Sequence, residues 1–259
     1  MSTTHIIISF FIYSFIGWLY ETTICSVINE KRFINRGFLI GPYCPIYGTG
    51  AVLCYLCFRD ITNVLAVFLA SMIVCGIVEY FTSWIMEKMF HSTWWDYSEF
   101  PFNLNGRICL YGLLIFGTAC ATVNFGFEPL ILDILNKISL KTQWIISSIL
   151  LIIFTADMIV TLISWRSFNS ILKSLHEELI RRSNDKLEEI YEELVEKGVI
   201  KISSEKSNFE IKFDDFNVRL KAKEVRFIKA FPKLQVHGYE TTLTRTGLKK
   251  HLRNRIFKK

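Results

Sequence analysis

What the chain lacks narrows the reading first. It has no G-x-x-x-x-G-K-[ST] segment, so it carries no nucleotide-binding loop of its own and is not expected to be an ATPase. Its N-terminus has no basic n-region and no small-residue cleavage site, so the first apolar run is expected to stay as a membrane anchor. The seven cysteines are odd in number and lie mostly inside apolar runs, which fits small buried hydrophobes and gives no disulfide framework. Cys54 and Cys57 are spaced C-x-x-C, but no second pair or nearby His completes a site, so neither metal nor cofactor is expected. No recognised nucleic-acid motif is present, and nucleic acid is not expected as a partner.

Charge is scarce in the front of the chain. Up to Trp165 there are eight Lys/Arg and ten Asp/Glu, a net of −2; from Arg166 onward there are 22 and 14, a net of +8. The 259 residues are 51% hydrophobic and 15% aromatic, high for a soluble domain and normal for a membrane protein with a soluble part. The chain therefore divides into a transmembrane domain, residues 1–165, and a basic amphipathic cytoplasmic tail, residues 166–259.

A membrane-crossing helix needs about 20 mostly apolar residues. Ile6 to Ile28, Ile61 to Phe81, Ile108 to Phe125 and Gln143 to Trp165 qualify. Ile46 to Phe58 qualifies if its helix starts near Pro42, since proline is tolerated in a first turn. Phe127 to Ile138 reads as a short helix lying in the interface, because Glu128, Asp133 and Lys137 argue against burial. The fold class is all-α: a polytopic helical bundle of about five spans with a mostly helical tail. Lys31, Arg32 and Arg36 in the first loop, with Arg166, Lys173, Arg181 and Arg182 after the last span, place the N-terminus outside and the C-terminus in the cytoplasm of a plasma membrane.

Three acids interrupt the apolar runs: Glu21, Glu79 and Asp157. A charge in lipid costs at least ~2.5–3.5 kcal/mol, so each should face the bundle interior or water. In this topology all three fall in the cytoplasmic third of the bilayer. Glu79, Ser83 and Glu87 share one helical face and form a polar stripe leading out of the membrane. The stripe ends at HSTWWDYSEFPFNLNGR, residues 91–107. Arg107 is the obvious counter-charge for one of the acids, with Glu79 the pairing to test. The stretch reads as a re-entrant or interfacial lid over an acidic cavity, organised by Asp96, Asn105 and Arg107, with Trp94 and Trp95 at its rim. An ordinary aromatic belt with snorkelling acids is the competing explanation.

Long motifs in the same region carry a resemblance. FFIYSFIGWLYETT, NRGFLIGPYCPIYGTGA and EYFTSWIMEKMFHSTWWDYSEFPFNLNGRICL resemble the putative ABC-transporter type IV family of bacterial integral membrane proteins. The resemblance covers roughly the first 125 residues and implies a permease-like component. It carries over no catalytic residue, and it leaves room for a separate ATPase subunit and for a homo-oligomer.

GPYCPIYGTG, residues 41–50, gathers glycine and proline as a broken helix lining a cavity does, or as a turn before a tightly packed helix. Tyr43 and Tyr47 would line the cavity mouth. In the tail, 167–197 reads as two helices or one with a register break at Ser183-Asn184-Asp185, Phe216 to Phe231 as a basic helix ended by Pro232, and Thr241 to Lys259 as another. Such helices beside a bilayer contact anionic lipid. Three functions fit: a permease with an acidic cytoplasm-facing cavity, a membrane-embedded enzyme acting on lipid-linked substrates, or a non-transporting scaffold or sensor.

Overall fold

The computed structural model describes residues 2–26, 34–196 and 222–239, with side chains left out at 182–196 and 222–225. Lys31, Arg32, residues 199–215, the start of the helix expected over Phe216 to Phe231, and Thr241 to Lys259 lie outside the described residues. The chain forms two compact units, Met1–Leu162 with Lys229–Leu234, and Ile163–Ile228 with Gln235–Lys259.

The first unit is a helical bundle. Helix α1, Thr3–Tyr20, is capped by Ser2, whose Oγ accepts the His5 N–H, and runs on as a π turn over Glu21–Cys25. Helix α2, Pro45–Phe58, starts with proline where the missing N–H does no harm. Helix α3, Val64–Phe90, begins at an Asn63 cap and stops where His91 turns left-handed. A two-residue hairpin pairs β1, Asn103–Leu104, with β2, Ile108–Cys109. Helix α4, Leu110–Thr122, passes through a π turn, Val123–Phe127, into α5, Glu128–Asn136. Helix α6, Leu140–Glu196, follows.

Among the described residues, four helices are long and apolar enough to cross a membrane: Thr3–Cys25, Val64–Phe90, Leu110–Asn136 and Leu140–Arg181. The molecule is a multi-pass, all-α membrane protein. Helix α2 has 14 residues, about 21 Å at the usual rise, against a hydrocarbon core of about 30 Å.

One expectation needs correction. The segment after Phe125 is no separate interfacial helix, because Leu110–Asn136 runs on without a break. The acid that argued against this, Glu128, is fully buried but accepts hydrogen bonds from Ser9 and Tyr13, so its burial is compensated. Of the two forms expected for 167–197, the single helix is the one found, since the backbone stays helical through Ser183-Asn184-Asp185 to Glu196. Ser, Asn and Asp inside a helix cost only fractions of a kcal/mol, roughly 0.7 at most.

Helices in lipid gain little from burying apolar surface against each other, so they associate through close backbone approach and polar contacts. Both occur here. A Cβ on Gly48 of α2 would collide with the Phe10 carbonyl and the Ser14 hydroxyl of α1. Thr4 on α1 donates to Gln143 on α6 at 2.7 Å. In the second unit, Trp165, Phe168, Leu172, Leu175 and Leu179 form a buried stripe at helical spacing. Helix α7, Ala222–Ala230, lays Phe227 on it, with ring centroids 5.2 Å from Trp165 and 5.9 Å from Phe168.

Candidate functional site

Helices α1 to α4 line an open cavity of about 630 Å³. Its walls are aliphatic and aromatic, with Tyr13, Tyr20, Tyr47 and Tyr111 among them, and Glu79 is the one charged residue lining it among the described residues. Gly17 lets the Tyr47 ring approach α1 closely, since a Cβ there would collide with the ring.

The three intramembrane acids have different surroundings. Asp157 accepts the backbone N–H groups of Ile40 at 3.0 Å and Gly41 at 2.7 Å, the Tyr43 hydroxyl at 2.6 Å and the Thr161 hydroxyl at 3.1 Å. It ties irregular backbone before α2 to the side of α6, which is how non-helical chain is tolerated at membrane depth. Glu21 accepts the Tyr47 hydroxyl at 2.5 Å and faces Arg36 at 3.7 Å. Glu79 is 4% exposed; its Oε1 accepts the Tyr97 hydroxyl at 3.3 Å, and its Oε2 has no hydrogen-bond partner.

Glu21 and Glu79 belong to one neighbourhood. The Tyr97 hydroxyl is held well above its ordinary pKa by burial first, then by the negative charges of Glu79 and Glu21. Asp157 has its own set of donors, from Ile40, Gly41, Tyr43 and Thr161. Arg107 does not pair with Glu79: it forms an ion pair with Glu87, and its side chain also reaches the Tyr80 hydroxyl at 3.4 Å. Glu87 lies two turns beyond Glu79 along α3, where Arg107 keeps contact with solvent instead of entering the apolar cavity.

The stretch 91–107 folds on itself through its own side chains. The Ser98 N–H donates to Asp96 Oδ1 at 2.8 Å and lowers the pKa of that carboxyl. The Asn103 amide donates to the Phe100 carbonyl at 2.8 Å, and the Gly106 N–H donates to Asn103 Oδ1 at 3.1 Å. Asn105 donates to the Tyr80 hydroxyl at 3.0 Å, and Trp95 Nε1 to the Arg107 carbonyl at 3.1 Å. Trp94 is not at a rim. It is 3% exposed, with its ring 5.1 Å from Phe38, 5.7 Å from Phe90 and 4.9 Å from Phe231. Lys233 from the returning segment meets Glu99 at 2.7 Å.

The sequence did not mark Glu128, Arg36, Tyr80 or Tyr97 as site residues, and it placed Glu128 in the interface and Arg36 in a basic loop. Glu128 had a usable signal: Ser9 and Tyr13 lie four residues apart on one face of an otherwise apolar helix, a donor pair awaiting an acceptor. Tyr97 had none, because only folding of the loop brings it to Glu79.

The family model described as putative ABC-transporter type IV matches residues 8–162, which contain every residue lining the cavity. No curated protein and no solved structure matches the chain.

Proposed function

This chain belongs to the putative ABC-transporter type IV family, and from that premise we propose that it is the membrane-embedded permease component of a transport system. Its cargo is a hydrophobic monovalent cation, held in the cavity among α1 to α4 with Glu79 as its counter-charge. The observation that carries this reading is the buried Glu79 Oε2, which faces apolar walls with no hydrogen-bond partner. A carboxylate so placed is costly until a proton or a cation neutralises it. The other intramembrane acids have their charge satisfied by protein donors, so Glu79 is the one with capacity left for a ligand.

With no nucleotide-binding loop in the chain, ATP-driven work would come from a separate subunit. We place the N-terminus outside and the C-terminus in the cytoplasm of a plasma membrane. Helix α2 and the irregular segment before it together complete a fifth crossing, and the basic tail lies against anionic lipid.

A binding measurement tests the site without needing an energy source. Purified chain in detergent is titrated with ethidium, a planar hydrophobic cation, and followed by fluorescence anisotropy. Binding should weaken as pH falls, because protons compete for the same carboxylate. Glu79→Gln should lower affinity by about tenfold or more, roughly 1.4 kcal/mol, and abolish the pH dependence. Glu87→Gln should leave both intact. Equal affinity and equal pH dependence in Glu79→Gln and the parent would overturn the assignment.

A further inference from the structure

Three thiols that are far apart in sequence meet inside the bundle. Cys54 comes from α2, Cys75 from α3 and Cys120 from α4, and they are 1%, 5% and 5% exposed. The Cys75 sulfur is 3.6 Å from that of Cys54 and 3.5 Å from that of Cys120, and all three sulfurs lie within 4.8 Å of one another. Cys54 therefore finds its partners on other helices, and its C-x-x-C neighbour Cys57 stays exposed. Beyond the cation reading of Glu79, we propose that Cys54, Cys75 and Cys120 form a binding site for one soft monovalent metal ion, copper(I), ligated by three sulfurs.

The geometry suits an ion. A metal–sulfur bond of about 2.3 Å at the centre of a trigonal set puts the sulfurs about 4.0 Å apart. The observed separations need only small adjustments to reach that. Ligand chemistry selects the metal. Sulfur donors without nitrogen or carboxylate favour copper(I), while zinc wants four ligands. Phe58, Val74 and Phe116, which pack around the thiols, offer no fourth donor.

Charge balance points the same way. Walls of this kind favour an electrically neutral complex. One ion and three thiols give it when a single thiol ionises: M⁺ + 3 RSH → M(SR)(RSH)₂ + H⁺, with the proton passing to solvent. The Ser71 hydroxyl provides an independent sign. It is fully buried on α3, four residues before Cys75 and on the same helical face, a position from which it can donate to a thiolate formed on ion binding. Cys75 and Cys120 also line the 630 Å³ cavity, so an ion reaches the sulfurs without unfolding the bundle.

The test uses the full chain, reduced and kept free of oxygen in detergent, titrated with copper(I) against a chromophoric chelator. One ion should bind per chain. Binding should shield Cys54, Cys75 and Cys120 from alkylation and leave Cys57 reactive. Cys54→Ser, Cys75→Ser and Cys120→Ser should each weaken affinity by at least about tenfold. Cys57→Ser and Glu79→Gln should bind as the parent does, so this site and the Glu79 site succeed or fail separately. X-ray absorption of the loaded parent protein needs no variant to fold and should give a shell of sulfur alone. Nitrogen or oxygen in that shell, alkylation of all three thiols unaffected by copper, or unchanged binding in a folded triple serine variant would overturn the proposal.

Discussion

Asp157 accepts two backbone N–H groups and two hydroxyls, so its main work is structural. Removing it strands donors at a place where water is scarce. Asp157→Ala should destabilise the protein by about 1.5–3 kcal/mol in thermal unfolding in detergent; a change within a few tenths of a kcal/mol would mean that lipid or water satisfies those donors instead. Arg107 and Glu87 are a different case, with side chains 19% and 27% exposed. A double-mutant cycle with Arg107→Gln and Glu87→Gln should give a coupling of about 0.5–1.5 kcal/mol. The same cycle with Glu79→Gln should be additive within about 0.5 kcal/mol, since Glu79 and Arg107 share no partner. Coupling to Glu79 as strong as that to Glu87 would contradict the pairing found here.

The element between α3 and α4 is held by short local hydrogen bonds rather than by a long ladder. Gly106 has φ +66°, and a Cβ there would stand 2.7 Å from Asp96 Oδ1, so two features of the turn depend on one residue without a side chain. The pH response follows from Asp96, whose carboxyl is most easily ionised when the Ser98 N–H is bonded to it. A carboxyl with a lowered folded pKa stabilises above the pKa of the free side chain. That contribution is lost as pH falls through the folded pKa. Proteolytic nicking between His91 and Arg107 should therefore increase on acidification below the ordinary carboxylate range. Asp96→Asn should flatten that increase. A parent profile with no such rise would remove Asp96 from the ordering of this loop.

At the scale of the whole molecule the open quantity is sidedness. Helix α3 has 27 residues, about 40 Å at the usual rise, so Asp60 before it and Phe102 after it lie on opposite sides of the membrane. Both side chains are accessible, at 93% and 82% exposed. The native Cys44 and Cys120 are buried and report sidedness poorly. In a Cys57→Ser background, Asp60→Cys should react with an impermeant thiol reagent in intact cells and Phe102→Cys only after lysis. The reverse pattern would invert the proposed orientation.

Sequence by itself determined that this is a helical membrane protein with an apolar front and a basic back. Transfer into a bilayer is a sum over local composition, and long apolar runs state that sum directly. It also marked the intramembrane acids, because an acid inside an apolar run is visible in one dimension. Only the tertiary structure decided what each acid does. The donors that occupy Asp157 come from Ile40, Gly41 and Tyr43, those of Glu128 from Ser9 and Tyr13, and the thiols that meet Cys75 sit on two other helices. Glu79 differs from its fellow acids by a partner it lacks. Hydrogen bonding acts across a few ångströms of space, and the residues that meet across those ångströms are here separated by up to 139 positions of chain.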